Sequence, residues 1–234
     1  MAHPLLDPGQ PKVVGSIGTA AVLAGVDEAE IRKACHIVEI RLDLLDDDTV
    51  EAKPWRRFGD LPLLFTARCE AEGGAPGLDA DERLRRLRTS LDDAAIVDVE
   101  LASADAMRAL IGELAERDIP WLASCHDFSG TPAIDELEAR RQAARQLGAS
   151  GFKAAVDLGW EPGRLGPLAL FLGHGDGFPV SLMGMGPLAP ASRLLFAQLG
   201  SVLNYGYLGD TPTAPGQWSA FQLRQAIESV EKER

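Results

Sequence analysis

Short apolar runs recur along this chain about every 25–30 residues, and each is followed by a stretch of helical character. Lys12-Val13-Val14-Gly15-Ser16-Ile17 reads as the first strand. Asp27 is placed to cap a short helix through Ala34, with Glu28 and Glu30 in its first turn. From His36 to Leu45 apolar and charged residues alternate. Val38, Ile40, Leu42 and Leu44 take one face and Glu39, Arg41 and Asp43 the other, the period-2 signature of a strand. Further strands are predicted over 61–68, 95–101, 119–126, 151–156, 178–183 and 202–207. Helices are predicted over 79–91, 103–117 (capped by Ser103), 132–147 after Thr131-Pro132, 165–172, 191–199 and 215–230. Arg83, Arg85, Arg86 and Arg88 on the helix over 79–91 are expected to form a solvated face paired with nearby acids.

Strands alternating with helices imply parallel pairing. Eight such units in 234 residues match the size of one closed (β/α)8 barrel, a TIM barrel. The competing fold is an open, doubly wound sheet, but the first βα turn carries no GxGxxG phosphate cradle. With no linker or low-complexity stretch, one domain over 1–234 is expected, with 1–11 as an irregular, Pro- and Gly-rich arm.

Composition narrows the function. A hydrophobic share of 46% suffices for a sizeable core. The net charge of -12 argues against a nucleic-acid or anionic-membrane partner. No run approaches the length of a membrane span. Met1-Ala-His-Pro-Leu lacks a basic region leading into an apolar one, so a cytoplasmic location is expected. Cys35, Cys69 and Cys125 are odd in number and widely spaced, which suits neither a disulfide framework nor a zinc knuckle. His126 has no second histidine at ligand spacing, and His3, His36 and His174 stand in unrelated contexts, so no metal is expected.

One residue stands out. Lys153, one of five lysines, lies inside the apolar run Gly151-Phe152-Lys153-Ala154-Ala155-Val156. Burial disfavours an ammonium and lowers its pKa. A neutral amine attacks carbonyls to form a Schiff base. The plain alternative is a strand-end lysine whose head reaches water. A barrel builds its site at the C-terminal ends of its strands. Those ends carry Ser16, the Glu39/Arg41/Asp43 face, Arg68 with Glu72 just beyond, Glu100, His126 and Lys153, and later loops add Arg193 and Gln217. This set describes an organic site: an amine nucleophile, an imidazole acid and base, and arginines for a carboxylate or polyhydroxy substrate. Asp43, Asp98 and Glu100 read as structural support, and Cys125 as packing.

Six motifs occur in order: Glu39-Ile-Arg41-Leu-Asp43; Phe65-Thr-Ala-Arg68 followed by Glu72-Gly-Gly; Ser124-Cys-His126-Asp-Phe; Phe152-Lys153; Met185-Gly186 running to Ser192-Arg193; and Ala214-Pro-Gly-Gln217. The ordered set resembles type I 3-dehydroquinate dehydratase, the Schiff-base enzyme of the shikimate pathway, from about Lys12 through Gln217 and the helix after it. The resemblance implies the same single barrel and the conversion of 3-dehydroquinate to 3-dehydroshikimate and water, without cofactor or metal. It implies Lys153 as the imine-forming nucleophile, His126 as general base and then acid, and Glu72 as the residue that orients His126. It further implies Arg193 on the substrate carboxylate, Glu39, Arg41 and Arg68 on ring hydroxyls, Gln217 with its loop closing over the ring, and Ser16 at the end of the first strand. A homodimer is a further expectation from the family.

Two positions depart from the family pattern. Thr213 stands where the closing loop usually has serine, which keeps the hydroxyl and adds a methyl. Ala189 replaces the second glycine of Met-Gly-x-x-Gly-x-x-Ser-Arg, a position where a positive φ would favour glycine. The competing readings are another Schiff-base barrel enzyme, such as a class I aldolase, and a catalytically silent relative that binds the metabolite and regulates. The loop bearing Arg193 has no obvious Gly-rich phosphate cup for the first, and the retained lysine and histidine oppose the second.

Overall fold

The computed structural model describes residues 3–173, 176–214 and 216–231; His174, Gly175, Pro215 and the two chain ends lie outside it. Eight strands form one parallel sheet: β1 (Lys12–Ile17), β2 (Ile37–Arg41), β3 (Leu63–Thr66), β4 (Ile96–Glu100), β5 (Trp121–Asp127), β6 (Gly151–Asp157), β7 (Val180–Met185) and β8 (Leu203–Tyr207). Their order is β7-β6-β5-β4-β3-β2-β1-β8. The seam between β7 and β8 is drawn together by the amide of Val202, which donates to the Val180 carbonyl at 2.9 Å. The hydroxyl of Ser201 accepts from the Leu182 amide at 3.0 Å, and that of Ser181 donates to the Leu203 carbonyl. The result is a (β/α)8 barrel of the kind expected.

The pleat sorts the residues. Val13, Val38, Ile40, Phe65, Val97, Val99, Ala123, Phe152, Ala154 and Leu182 belong to the outer core that packs with the surrounding helices. Val14, Ile37, Leu64, Ile96, Leu122 and Leu203 belong to a separate inner cluster. Leu6 joins this inner cluster from a single 3-10 turn, Pro4–Leu6, and is fully buried. Two residues further along, the inward positions turn polar: Ser16, Glu39, Thr66, Asp98 and Ser124, with Lys153 paired in register with Ser124. An apolar lower half therefore supports a charged upper half.

The helices are α1 (Ala20–Gly25), α2 (Glu28–Ala34), α3 (Asp47–Ala52), α4 (Ala80–Ser90), α5 (Arg108–Glu116), α6 (Ile134–Gln146), α7 (Leu165–Gly173), α8 (Ala189–Gln198) and α9 (Ala220–Glu231). Asp27 caps α2 as expected, accepting from the amides of Ala29 and Glu30. α1, capped by Thr19, and α3, capped by Asp46, were not predicted. The alternation read from His36 to Leu45 outruns its strand. β2 stops at Arg41, the chain turns through Leu42–Leu44, and Leu44 is exposed. The carbonyls of Leu42 and Leu45, which have left the ladder, accept from Arg86 at 2.7 Å each.

That contact corrects the expectation for α4. Arg88 is exposed and Arg85 half-buried, but Arg83 and Arg86 are buried. Arg83 donates to Glu100 at 2.8 Å and to the Ser103 hydroxyl at 3.2 Å. Helix α5 starts five residues later than predicted, at Arg108, without a side-chain cap. β7 begins after Pro179, which has no N–H to give to the ladder.

Candidate active site

All ten residues singled out from the sequence line one cavity of about 150 Å³ at the C-terminal end of the strands: Ser16, Glu39, Arg41, Arg68, Glu72, His126, Lys153, Arg193, Thr213 and Gln217. Phe128, Met183, Met185 and Tyr205 complete much of its wall.

Lys153 sits in the middle of β6 with its side chain inward and almost wholly buried. Its nearest charged neighbours are carboxylates. Nζ donates to Asp98 Oδ2 at 2.8 Å, and Glu39 Oε1 lies 3.9 Å away. On another side Nζ stands 4.2 Å from the centroid of the Tyr205 ring, within range of a cation–π contact. Asp98 is thus a direct partner of the lysine rather than remote support. Its signal was present in the alternation Ile96-Val97-Asp98-Val99-Glu100, which turns both acids inward.

Asp98 is also the hub of a buried network. Its Oδ1 accepts from Arg68 at 3.0 Å and from Ser124 at 2.6 Å. Arg68 donates again to Ser124 at 2.7 Å and to Glu100 at 3.1 Å. Burial disfavours the Asp98 carboxylate, yet Arg68 and Lys153 outweigh it and hold the group well below the usual range. The same acids, against the cost of burial, hold Arg68 firmly protonated.

His126 follows on β5. Glu72 Oε2 accepts from the backbone amide of His126 at 2.9 Å and meets its Nδ1 at 3.0 Å. A carboxylate oxygen that already accepts an amide proton takes the Nδ1 proton as well, so Nε2 is the bare nitrogen of the ring. Burial pushes Glu72 up to about 7, against the pull of Arg68. Burial, then Arg68 and Lys153, hold the imidazole well below its usual value, so it stands neutral. The carboxyl comes from Glu70–Glu72, a tight turn ending at Gly73, whose φ of 85° is left-handed.

The remaining polar groups divide into paired and unpaired. Glu39 accepts from Ser16 and, at 2.8 Å, from Thr66. Arg41 makes a two-pronged contact with Asp43 at 2.9 and 2.7 Å. Gln217 Oε1 accepts from the Thr213 amide at 3.0 Å and its hydroxyl at 2.8 Å, so the added methyl of threonine leaves this bond intact. Arg193 is different. It donates to the Tyr205 carbonyl at 2.7 Å, but its Nε is buried without a partner, and desolvation alone pushes it down to about 10. Ala189 opens α8 in ordinary helical backbone; positive φ falls instead on Gly186 (79°) and Gly216 (70°). Among the described residues, no group of three or more His, Cys, Asp or Glu side chains is arranged to hold a metal ion.

This geometry offers an amine, a neutral imidazole on the adjacent strand, and a buried cation without a counter-charge, all on one small cavity. A sequence model of the family described as type I 3-dehydroquinase matches residues 18–234. The 3-dehydroquinate dehydratase of Methanothrix thermoacetophila is 34% identical over 218 residues, covering 93% of this chain and 91% of that one. That of Bacillus subtilis is 30% identical over 244 residues, covering 96% and 93%. Among solved structures, the 3-dehydroquinate dehydratase of Geobacillus kaustophilus superposes with a TM-score of 0.80 at 25% identity, over 95% of this chain and 92% of that one.

Proposed function

The chain belongs to the type I 3-dehydroquinase family and dehydrates 3-dehydroquinate, and we propose that Lys153 carries the reaction as the imine-forming nucleophile with His126 as its acid and base. The observation that supports this most is the pair itself. Lys153 and His126 line the same cavity from adjacent strands, His126 in register with Ala155, two residues beyond Lys153.

In this reading Lys153 Nζ adds to the ring ketone, and the ketone oxygen leaves as water to give an iminium. Asp98 at 2.8 Å balances the charge, which is the same on an iminium as on an ammonium. The iminium acidifies the adjacent carbon. His126 Nε2 takes that proton and an enamine forms. The enamine electrons then expel the β-hydroxyl, which leaves as water with the proton returned by His126. One water hydrolyses the conjugated iminium, and 3-dehydroshikimate and Lys153 are released. Glu72 keeps the imidazole oriented and balances its transient charge. Arg193 meets the substrate carboxylate, since a buried guanidinium without a counter-ion favours an anionic ligand. Glu39, Arg41, Arg68 and Ser16 set the floor for the ring hydroxyls, and Thr213 and Gln217 close above.

The same reading takes the chain as one domain, using no cofactor beyond its own lysine, with 3-dehydroquinate rather than nucleic acid or membrane as its partner. A cytoplasmic homodimer is part of it; among the described residues no helix is long and apolar enough to cross a membrane.

Borohydride added with 3-dehydroquinate should leave a reduced adduct on Lys153, found by mass spectrometry of the digested protein. Turnover with no adduct at Lys153 would remove the covalent mechanism.

A further inference from the structure

Tyr205 belongs to no motif that the sequence singled out. Its ring lies under Lys153 Nζ, 4.2 Å from the nitrogen to the ring centroid. β8 is laddered to β1 and β6 to β7, so closure of the barrel across the seam brings the ring to the nucleophile. Tyr205 is 3% exposed. It belongs to the inner apolar cluster and also lines the cavity, so its ring forms part of the border between the two layers. The phenol oxygen is buried without a hydrogen-bond partner. Burial, reinforced by Glu39 and Asp98, holds the phenol well above its usual value, so the ring stays neutral. What the residue presents to the site is the face of that ring.

Lys153 Nζ therefore has three neighbours that favour positive charge: Asp98 Oδ2 at 2.8 Å, Glu39 Oε1 at 3.9 Å, and the ring. An aromatic face attracts a cation, more strongly where water is excluded. In the dehydration cycle this nitrogen gains positive charge twice. The carbinolamine hydroxyl takes up a proton and leaves as water while the nitrogen lone pair closes the C=N bond. Later the enamine electrons expel the β-hydroxyl, which takes its proton from His126 and leaves as water. A group that holds the cation better than the neutral nitrogen eases both C–O cleavages. We propose that Tyr205 is a positioning residue for the nucleophile, its ring face holding the Lys153 nitrogen against Asp98 and favouring the two steps that make that nitrogen an iminium. This rests on the dehydratase reading above and adds a residue to its machinery.

The test separates the electrons of the ring from its volume. Tyr205→Leu keeps an apolar side chain and loses the aromatic face. Its kcat should fall roughly tenfold, the worth of one such contact out of water, while KM moves less than about threefold. Tyr205→Phe keeps the ring and should restore most of kcat. Replacing Tyr205 by phenylalanines that carry one, two or three fluorines keeps the ring shape and withdraws the electrons that attract a cation. Across that series kcat should fall stepwise while the thermal midpoint stays level. A flat series overturns the proposal, since a ring that only fills space is indifferent to its electrons. The series stays decisive if Tyr205→Leu fails to fold. A kcat that rises along the series also overturns it, because the ring would then hinder proton removal more than it helps the cleavages. A wild-type protein that neither turns over nor forms the borohydride adduct on Lys153 fails at the underlying reading, and the proposal falls with it.

Discussion

Glu72 illustrates how one residue ties the chemistry to stability. Its carboxyl titrates near 7 in the fold against an ordinary 4.5, so the folded protein holds that proton more tightly than the unfolded chain does. The resulting stabilisation is complete below about pH 4.5 and is lost as pH rises through 7. His126, held neutral, works in the opposite direction, losing stability as pH falls below its unfolded value. The two trends overlap in the wild type and separate in a variant. For Glu72→Gln, the stability of the wild type relative to the variant should fall by up to about 3 kcal/mol between pH 4.5 and 7, then level off. Urea unfolding at pH 5 and pH 8 measures this, and an identical difference at both values contradicts it. Lys153 and His126 could be picked out in the sequence because a cation inside an apolar run and a histidine at a strand end are local patterns. Asp98 and Tyr205 could not be ranked so easily. Their importance comes from atoms 55 and 52 residues away in the chain, and only the curvature of the barrel brings these together.

The strands and helices were legible where one face meets a core, and least legible at their ends. Phe152, Lys153 and Ala154 alternate as expected, and β6 follows their pattern. The alternation beyond Arg41 misled, because a 3-10 turn can carry the same sequence once Arg86 supplies the bonds that its carbonyls lack. Arg83 and Arg86 misled for the related reason that a charged helix face looks solvated until the loops packed on it are known. The connection between β8 and α9 is tightly constrained. A Cβ on Gly216 would lie 2.3 Å from the Gly186 carbonyl and 2.9 Å from Ala189 Cβ, in backbone with φ of 70°. Gly216→Ala should therefore displace the Thr213–Gln217 bond, raise KM by roughly tenfold and destabilise the fold by about 1–3 kcal/mol. Steady-state kinetics with an unaltered KM would show that the loop tolerates the change.

At the scale of the whole molecule, β8 is laddered to β1, and the seam between β7 and β8 draws the two ends of the sheet together. Ser201 accepts from the Leu182 amide, and its own hydroxyl reaches the Leu182 carbonyl at 3.2 Å. Ser201→Ala leaves that buried amide unpaired and should cost about 1–3 kcal/mol. Hydrogen exchange at Leu182 should quicken while KM holds, because Ser201 is not among the cavity-lining residues. Slower turnover at unchanged stability would count against this division between seam and site.

The plugged lower half of the barrel has a kinetic meaning. Leu6, Val14, Ile37, Leu64, Ile96 and Leu122 pack together beneath the charged layer, each fully buried. Entry and departure then share the rim at the strands' C-terminal ends. A departing enone must vacate the cavity before the next ketone arrives, so product and substrate are mutually exclusive occupants. The water that cleaves the adduct comes and goes by the same opening. Accumulated product therefore slows the enzyme by occupying that opening, and excess substrate relieves the effect.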